Sequence, residues 1–221
     1  MFHSRLQTLD VDRYQSFTVG ATVLEADSFG DKVLRLADGT MVKLFRRKRL
    51  LSSALIYPYA RRFVDNIKGL KARGILCPEV INAYRIHAIA RDVVHYHPLA
   101  GETLRRIIAG QPYIHAELAQ KLGQFVARLH EAGVYFRSLH LGNVVLTPEG
   151  ELGLIDIADL RFRRPPLAAR LRRRNFQHLL RAASDRDWLT ADDGAAFCAG
   201  YLAKSSALST EQMAGIFSRA C

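Results

Sequence analysis

Short apolar runs, separated by turn-forming residues, make up the first part of the chain. Between residues 17 and 45, apolar and polar positions alternate on both sides of Asp38-Gly39, a pair that a tight hairpin turn prefers. The next stretch, which Pro78 and Pro98 bracket, is again rich in apolar and β-branched residues. These patterns predict a small β-sheet near the N-terminus.

Helical spacing appears once within this region and dominates the chain after it. Apolar residues at steps of three and four within residues 51–73 predict a helix that ends at Gly74. From residue 102 onward most apolar positions have helical spacing, and one helix has an apolar stripe made of Leu118, Leu122, Phe125, Val126 and Leu129. The change predicts two domains, a β-rich one over residues 1–98 and a helical one over residues 99–221.

A hairpin interrupts the helical part and carries the polar residues of greatest interest. Its two apolar runs lie in GNVVLTPEGELGLIDI, residues 142–157, on either side of a Pro-Glu-Gly turn. Asn143 and Asp156 lie on opposite arms, so hairpin pairing can bring both side chains to one end. Amide and carboxylate oxygens are the hard ligands that Mg²⁺ prefers, and ATP-dependent phosphoryl transfer requires such ligands. The pair therefore predicts a metal-nucleotide site.

The charge balance of the chain points to an anionic partner. Of the 221 residues 49% are hydrophobic, which is enough to bury one core or two small ones. Lys and Arg exceed Asp and Glu by 11, and the excess is concentrated in residues 43–49 and 161–174. Such blocks favour nucleic acid, an anionic membrane surface, or a phosphorylated glycan or lipid. Nucleic acid is disfavoured, because the sequence has no helix-turn-helix, zinc-finger or RNP-type pattern.

Other sequence features indicate where the protein works. No uninterrupted run of about 18 apolar residues is present, and the N-terminal residues lack the apolar core of a signal peptide. We therefore expect a cytoplasmic protein whose contact with the inner membrane would be peripheral. Cys77, Cys198 and Cys221 lack the spacing of a zinc site, and we expect them to be reduced packing residues.

The hairpin and the loop before it resemble a known family. FRSLHLGNVVL at 136–146, followed by LGLIDI at 152–157, resembles the kinase pattern HRDLKPENILL…LKLIDF, and still more the HGDLHPGNIL form of sugar kinases. The segment GILCPE at 74–79 and the arginine-rich RLRRRNFQHLLRA at 170–182 resemble features of bacterial lipopolysaccharide core kinases, the Kdo and heptose kinase group. The resemblance covers roughly residues 30–202 and is most specific at 134–157.

The resemblance implies a fold, two cofactors and several residue roles. It implies an α+β, two-lobed protein-kinase-like fold with a small β-rich N-lobe and a helical C-lobe. By the same resemblance, ATP and Mg²⁺ are the cofactors, and Lys43 contacts the nucleotide phosphates. Asp156 is the principal Mg²⁺ ligand, Asn143 the second, and the connector at 94–97 is the adenine-binding hinge.

Several positions depart from the family pattern. Ser138 occupies the place of the catalytic Asp, and a hydroxyl cannot take up a proton near neutral pH as a carboxylate can. His140, two residues later, or a water molecule held by Ser138 is then the candidate for handling the acceptor proton. Phe63 or Asp65 stands where the family supplies a helix Glu, and no glycine-rich phosphate loop is present.

Three functions remain open at this point. The first is ATP- and Mg²⁺-dependent transfer of a phosphoryl group to a sugar hydroxyl of lipopolysaccharide core or a similar anionic glycan, with the arginines of 161–174 recruiting the acceptor. The second is an inactive pseudokinase that regulates or scaffolds a partner in envelope biogenesis. The third is a basic membrane-peripheral or nucleic-acid-binding adaptor. Turnover, and not affinity, distinguishes the first function from the second.

Overall fold

The computed structural model describes residues 6–47, 57–110 and 116–218. The chain divides into two compact units, Met1–Leu99 and Ala100–Cys221. The first unit is rich in β-strands and the second in helices, so the predicted α+β fold is confirmed. Parts of three predictions, at residues 48–49, residues 51–56 and Cys221, lie outside the described residues.

The first unit is built on a six-stranded sheet with the order β1-β5-β6-β4-β3-β2. All neighbouring strands are antiparallel except β1 and β5, which are parallel. The predicted turn at Asp38-Gly39 joins β3 to β4, and Gly39 has a φ of 84°, a conformation that glycine adopts without strain. The strands are β1 Gln7–Thr8, β2 Thr22–Asp27, β3 Gly30–Arg35, β4 Met41–Arg46, β5 Glu79–Ile86 and β6 Arg91–His97.

The described part of this unit contains two helices, α1 at Val11–Phe17 and α2 at Tyr59–Lys71. The sequence pattern did not predict α1, whose start is capped by Asp10 through a 2.8 Å bond from the amide of Asp12. The predicted helix α2 ends just before Gly74, which has a φ of 64°. Its buried face consists of Ala60, Phe63, Val64, Asn66, Ile67 and Leu70.

One expectation for this unit was wrong. Residues 94–97 were expected to form a connector, but they are the last part of β6, which is hydrogen-bonded to β4 on one side and β5 on the other. Val93 and Val94 are fully buried because both faces of this central strand are covered. An irregular segment begins only at Pro98.

The second unit combines short antiparallel strand pairs with helices. One small sheet has the order β10-β9-β7, and a two-stranded sheet joins β11 to β8. The predicted hairpin is confirmed as β9 and β10, with Leu146 opposite Leu152. The elements are β7 Glu102–Thr103, α3 Leu104–Gly110, α4 Ala116–Glu131, β8 Val134–Phe136, β9 Val144–Leu146, β10 Leu152–Leu154, β11 Leu160–Phe162, α5 Ala169–Leu179, α6 Ala183–Leu189, α7 Ala195–Leu202 and α8 Thr210–Phe217.

Helices α4 and α7 approach each other at two glycines. A Cβ on Gly123 of α4 would collide with the carbonyl oxygen of Phe197 and lie 2.8 Å from the backbone nitrogen of Tyr201. A Cβ on Gly200 of α7 would likewise collide with the backbone of Gln120. Because the two glycines face opposite backbones, the helices are in direct main-chain contact.

A buried polar network lies beside this contact and corrects one expectation. Arg172 was expected in the basic surface at 161–174, but its side chain is fully buried. Its guanidinium donates to Glu131 Oε1 at 2.9 Å, to the hydroxyl of Tyr201 at 2.9 Å and to Ser205 Oγ at 2.8 Å. These acceptors replace water for Nη1, and the carbonyl oxygen of Leu167 accepts from Nε at 2.7 Å, whereas Nη2 is buried without a partner among the described residues.

His130 continues the network without carrying a charge. Its Nδ1 lies 3.0 Å from the hydroxyl of Tyr201, and its Nε2 lies 3.1 Å from Asn175 Oδ1. Burial lowers the pKa of His130 to about 3, so the imidazole is neutral at neutral pH.

Two smaller findings bear on the sequence expectations. In the part of the chain that the structure describes, no helix is long and apolar enough to cross a membrane. Cys77 and Cys198 are free thiols, and burial raises the pKa of each to about 11. Thiols with such a raised pKa are packing groups and poor nucleophiles.

The helix contact predicts opposite effects for two glycine substitutions. Gly123→Ala should lower the free energy of unfolding by about 1–3 kcal/mol, because the added methyl group forces α4 and α7 apart. Gly215→Ala, in α8, has no heavy atom within 4 Å of the new Cβ and should raise it by about 0.5–1 kcal/mol through helix propensity. Urea unfolding, followed by the fluorescence of Trp188, the one tryptophan in the sequence, measures the free energy of unfolding of both variants. Equal effects of the two substitutions would contradict the contact.

Candidate active site

Two strand pairs position the loop that carries the predicted site. β8 ends at Phe136, and the loop continues through Ser138 to a 3₁₀ turn at Leu141–Asn143, after which β9 begins. β11 runs antiparallel to β8, with Leu160 opposite Phe136. The loop is therefore held between the β8–β11 pair and the β9–β10 hairpin.

Asp185 of α6 fixes the middle of this loop. Its carboxylate is buried, and it accepts a bond of 2.8 Å from the backbone amide of Leu141. The same carboxylate accepts two further bonds of 2.8 Å from Nε and Nη2 of Arg105 in α3. This forked pair satisfies the buried charge and joins α3, α6 and the loop.

Asn175 of α5 fixes the start of the loop. Its Nδ2 donates to the carbonyl oxygen of Phe136 at 2.6 Å, and its Oδ1 is bonded to His130. The buried network of Arg172 therefore reaches the last residue of β8. Both ends of the loop backbone are thus held by side chains distant in sequence.

The structure brings Asn143 and Asp156 to the same end of the hairpin. Val144 is opposite Leu154 in the β9–β10 register, and the amide of Ile155 donates to the carbonyl oxygen of Asn143 at 3.0 Å. The next residue, Asp156, is exposed and has a left-handed backbone conformation, with φ 50° and ψ 47°. Aspartate tolerates this conformation better than most residues do.

The orientation of the Asn143 amide suits a cation. Its Nδ2 donates to the carbonyl oxygen of Ser138 at 2.9 Å, so the remaining polar atom of the amide is the acceptor Oδ1. An amide oxygen and an exposed carboxylate are suitable ligands for Mg²⁺.

Among the described residues no three His, Cys, Asp or Glu side chains converge on a metal site. Such a cluster is not required, because Mg²⁺ at a phosphoryl-transfer site is bound through one or two carboxylates together with phosphate oxygens and water. The residues present therefore fit this ion.

Ser138 is bonded to a carboxylate that the sequence reasoning missed. Its Oγ donates to Asp159 Oδ2 at 2.6 Å, a short distance typical of a hydroxyl bonded to a carboxylate. Burial, together with the negative charge of Asp156, raises the pKa of Asp159, and the bond from Ser138 opposes that rise. Within the described residues, Asp159 Oδ1 is buried and has no hydrogen-bond partner. The one sequence feature that could have indicated Asp159 is its position three residues after Asp156.

His140, the other predicted catalytic residue, lies in the same loop. Its ring packs beside Gly142, and in the described part of the chain its Nδ1 is buried without a hydrogen-bond partner. Burial, and then the positive charge of Arg105, lowers the pKa of His140. The imidazole is therefore neutral at neutral pH.

Lys43 lies in the first unit, in strand β4 of its sheet. It is opposite Val33 on one side and Val94 on the other, and its side chain is half-buried. The two residues expected in place of a helix Glu have other partners in this unit. Phe63 is a core residue, and Asp65 accepts a bond of 2.8 Å from the hydroxyl of Tyr57.

The basic segment at 161–174 is a surface with the exception of Arg172. The exposed residues of this segment include Arg161, Arg163, Arg164, Arg170, Arg173 and Arg174. The strand β11 and the helix α5 carry four of these arginines, and the linker between them carries the other two. A dense positive surface of this kind attracts anionic ligands.

The Asp185 contacts predict a difference between two carboxylate substitutions. Asp185→Asn should lower the free energy of unfolding by about 1.5–3 kcal/mol, because charge-assisted bonds to Arg105 and Leu141 are weakened in a buried place. Glu102→Gln removes an exposed pair with Arg106 and should cost less than about 1 kcal/mol. Urea unfolding with Trp188 fluorescence compares them. A loss for Asp185→Asn no larger than for Glu102→Gln would contradict the assigned role.

Comparison with known proteins agrees with the motif and its geometry. No curated protein matches the chain. The family model described as "Lipopolysaccharide kinase (Kdo/WaaP) family" matches residues 14–201, which include the loop, the hairpin and most of both units. The chain belongs to the Kdo/WaaP family of lipopolysaccharide kinases.

Proposed function

We propose that the protein transfers the γ-phosphoryl group of ATP to a sugar hydroxyl of lipopolysaccharide core or of a similar anionic glycan, with Mg²⁺ as the metal. The observation that carries the proposal is that Asn143 and Asp156 lie at the same end of the hairpin. The bond from Ile155 to Asn143 and the bond from Asn143 to Ser138 support it, because the first holds the backbone next to Asp156 against Asn143 and the second leaves Oδ1 as the acceptor atom of the Asn143 amide.

Within this proposal each residue has a defined task. Asp156 and Asn143 would hold Mg²⁺, which neutralises the negative charge that builds up on the phosphates during transfer. We assign Lys43 to the nucleotide phosphates on the basis of the alternating strand around it and the family to which the chain belongs. Its half-buried place in β4 supports this role, because a strand fixes a lysine more firmly than a loop does.

The exposed arginines of 161–174 support an anionic acceptor. Sugars of the proposed class carry phosphate or carboxylate groups, and arginine binds both in a bidentate manner. The net charge of +11 adds a long-range attraction to such a glycan. An acceptor attached to lipid would bring the protein to the inner membrane surface, where basic side chains bind anionic head groups.

A second candidate, a nucleotide-binding protein without turnover, is favoured by one observation. Ser138 occupies the position at which phosphotransferases of this type place the residue that takes the acceptor proton. Positioning and charge neutralisation account for most of the acceleration in phosphoryl transfer, so this substitution slows an enzyme more readily than it abolishes activity. We therefore place the kinase first.

A matched pair of aspartate substitutions tests the metal-nucleotide site. Mg²⁺ and ATP at about 100 times the dissociation constant should stabilise the wild-type protein by about 2.7 kcal/mol, which appears as a higher melting temperature. Asp156→Asn should remove most of this stabilisation and lower the transfer of ³²P from labelled ATP by about 10²-fold or more. The acceptor in the assay is lipopolysaccharide core treated with phosphatase.

Asp187→Asn is the control for this experiment. The Asp187 side chain is 73% exposed and lies 3.9 Å from Arg186, so its loss should alter neither stabilisation nor transfer. Stabilisation without transfer by the wild-type protein would favour the non-catalytic candidate. Unchanged Mg²⁺-ATP binding by Asp156→Asn would contradict the proposed site.

A second pair of substitutions tests Lys43. Lys43→Met should raise the KM for ATP and lower kcat/KM by about 10-fold or more, because a phosphate contact of 1.4 kcal/mol corresponds to that factor. Lys32→Met, in the neighbouring strand β3, removes an exposed lysine paired with Glu25 and should leave both constants unchanged. Steady-state kinetics with varied ATP compares them. An equal effect of the two substitutions would show that Lys43 acts only as part of the basic surface.

A further inference from the structure

We propose that Ser138 and Asp159 form a proton relay in which Ser138 contacts the acceptor hydroxyl and Asp159 takes up its proton through Ser138. This inference rests on the proposed function, since it names the groups that activate the acceptor at the same site. Ser138 is then the catalytic residue, and Asp159 is the positioning residue and proton acceptor behind it.

The direction of the bond between the two side chains is the first support. A serine hydroxyl has one proton and two acceptor lone pairs, and Ser138 donates that proton to Asp159 Oδ2 at 2.6 Å. The lone pairs of Ser138 Oγ are then the part of the group that can accept a bond from a substrate hydroxyl. Ser138 is half-buried and therefore not fully enclosed by the protein.

The environment of Asp159 is the second support. Oδ1 is buried and, within the described residues, has no hydrogen-bond partner, so the bond from Ser138 to Oδ2 is the one side-chain hydrogen bond of this carboxylate there. Burial raises the pKa of Asp159, and the positive charge of Arg137 opposes this rise; a raised pKa makes Asp159 a better base than an exposed aspartate.

The β8–β11 pair explains why this carboxylate reaches position 138. Leu160 is opposite Phe136, and the strands are antiparallel, so the residue before Leu160 lies beside the residues that follow Phe136. Asp159 is therefore placed next to the Arg137–Ser138 segment by main-chain pairing. A carboxylate from the other side of the ladder replaces the one absent at position 138.

The step balances as follows. The acceptor hydroxyl passes its proton to Ser138 Oγ while the Ser138 proton passes to Asp159 Oδ2. The acceptor oxygen forms a bond to the γ-phosphorus of the nucleoside triphosphate, and the bond from that phosphorus to the β,γ-bridging oxygen breaks. Its electron pair leaves with the nucleoside diphosphate, and Asp159 afterwards releases the proton to solvent.

His140 is the competing base, and the geometry favours Asp159. His140 lies beside Arg105, whose positive charge opposes uptake of a proton by the imidazole. Burial raises the pKa of Asp159 and so favours uptake of a proton there, whereas burial lowers the pKa of His140. Asp159 is also bonded directly to the side chain at position 138.

The first test separates the charge of Asp159 from its hydrogen bond. Asp159→Asn keeps an acceptor for Ser138 but removes the basic oxygen, so kcat for transfer to phosphatase-treated lipopolysaccharide core should fall by about 10²–10⁴-fold. The KM for ATP and the Mg²⁺-ATP shift in melting temperature should stay within about twofold of wild type. Asp187→Asn is again the control.

The second test exchanges the side chains at positions 138 and 159, so that the carboxylate stands at position 138. Ser138→Asp combined with Asp159→Ser restores one carboxylate and one hydroxyl with their places exchanged. The rate of transfer by this double variant should be at least about 10-fold higher than the rate of Asp159→Asn.

The pH profile adds an independent readout. The rate of the wild-type protein should fall as pH drops through the raised pKa of Asp159, and this fall should be absent from the residual rate of Asp159→Asn.

The outcomes distinguish the relay from the proposed function. Wild-type transfer that persists in Asp159→Asn, or is lost in His140→Gln but not in Asp159→Asn, overturns the relay and leaves the kinase in place. A wild-type protein without transfer, although it binds Mg²⁺-ATP, overturns both. Loss of transfer in Asp159→Asn with intact Mg²⁺-ATP binding, and its recovery in the exchanged pair, supports the relay.

Discussion

The arrangement of the second unit depends on the bonds between Asp185 and two groups far from it in sequence. A buried carboxylate without partners would be costly, and here Arg105 and the amide of Leu141 supply the bonds that water would otherwise provide. The same bonds fix the loop backbone two residues before Asn143. Asn143 in turn donates its amide to the carbonyl oxygen of Ser138, so one buried charge supports the positions of both the proposed cation ligand and the proposed relay residue.

A second constraint acts on the other end of the same loop. Asn175 holds the carbonyl oxygen of Phe136, and it is itself held by His130, which the hydroxyl of Tyr201 contacts in turn. The fully buried Arg172 bonds to the same tyrosine. A continuous chain of polar contacts thus connects the close-packed helices to the start of the loop. Rigid support of this kind is what a site that works by positioning requires.

The sequence predicted best those elements that depend on interactions between neighbouring residues. The hairpin of β9 and β10, the turn at Asp38-Gly39 and the end of α2 near Gly74 follow from the alternation, turn and capping preferences of neighbouring residues. The pairing of Asn143 with Asp156 also follows, because a hairpin relates its two arms by simple geometry. Roles such as that of Lys43 came from family resemblance and not from periodicity.

The sequence was least informative where the partner is distant. Asp185 and Arg105 are 80 residues apart, and no periodic pattern indicates that they form a pair. Arg172 stands in a run of arginines that resembles a solvated surface, and it is buried because Glu131, Tyr201 and Ser205 provide acceptors that only the folded chain assembles. The short strand β1, which pairs with β5, consists of two exposed polar residues, so no apolar alternation indicates it.

The ladder between β8 and β11 has a consequence for how this site can vary. It contains three residue pairs, and it sets the separation between the side chains at positions 138 and 159. Strands advance by about 3.3 Å per residue and alternate their faces. Insertion or deletion of one residue directly before Leu160 would therefore shift Asp159 out of register with the Arg137–Ser138 segment, and a change within the 3₁₀ turn at Ile157–Asp159 would shift Asp156 relative to Asp159. The length of this short turn is thus under a stricter constraint than the identity of most of the side chains within it.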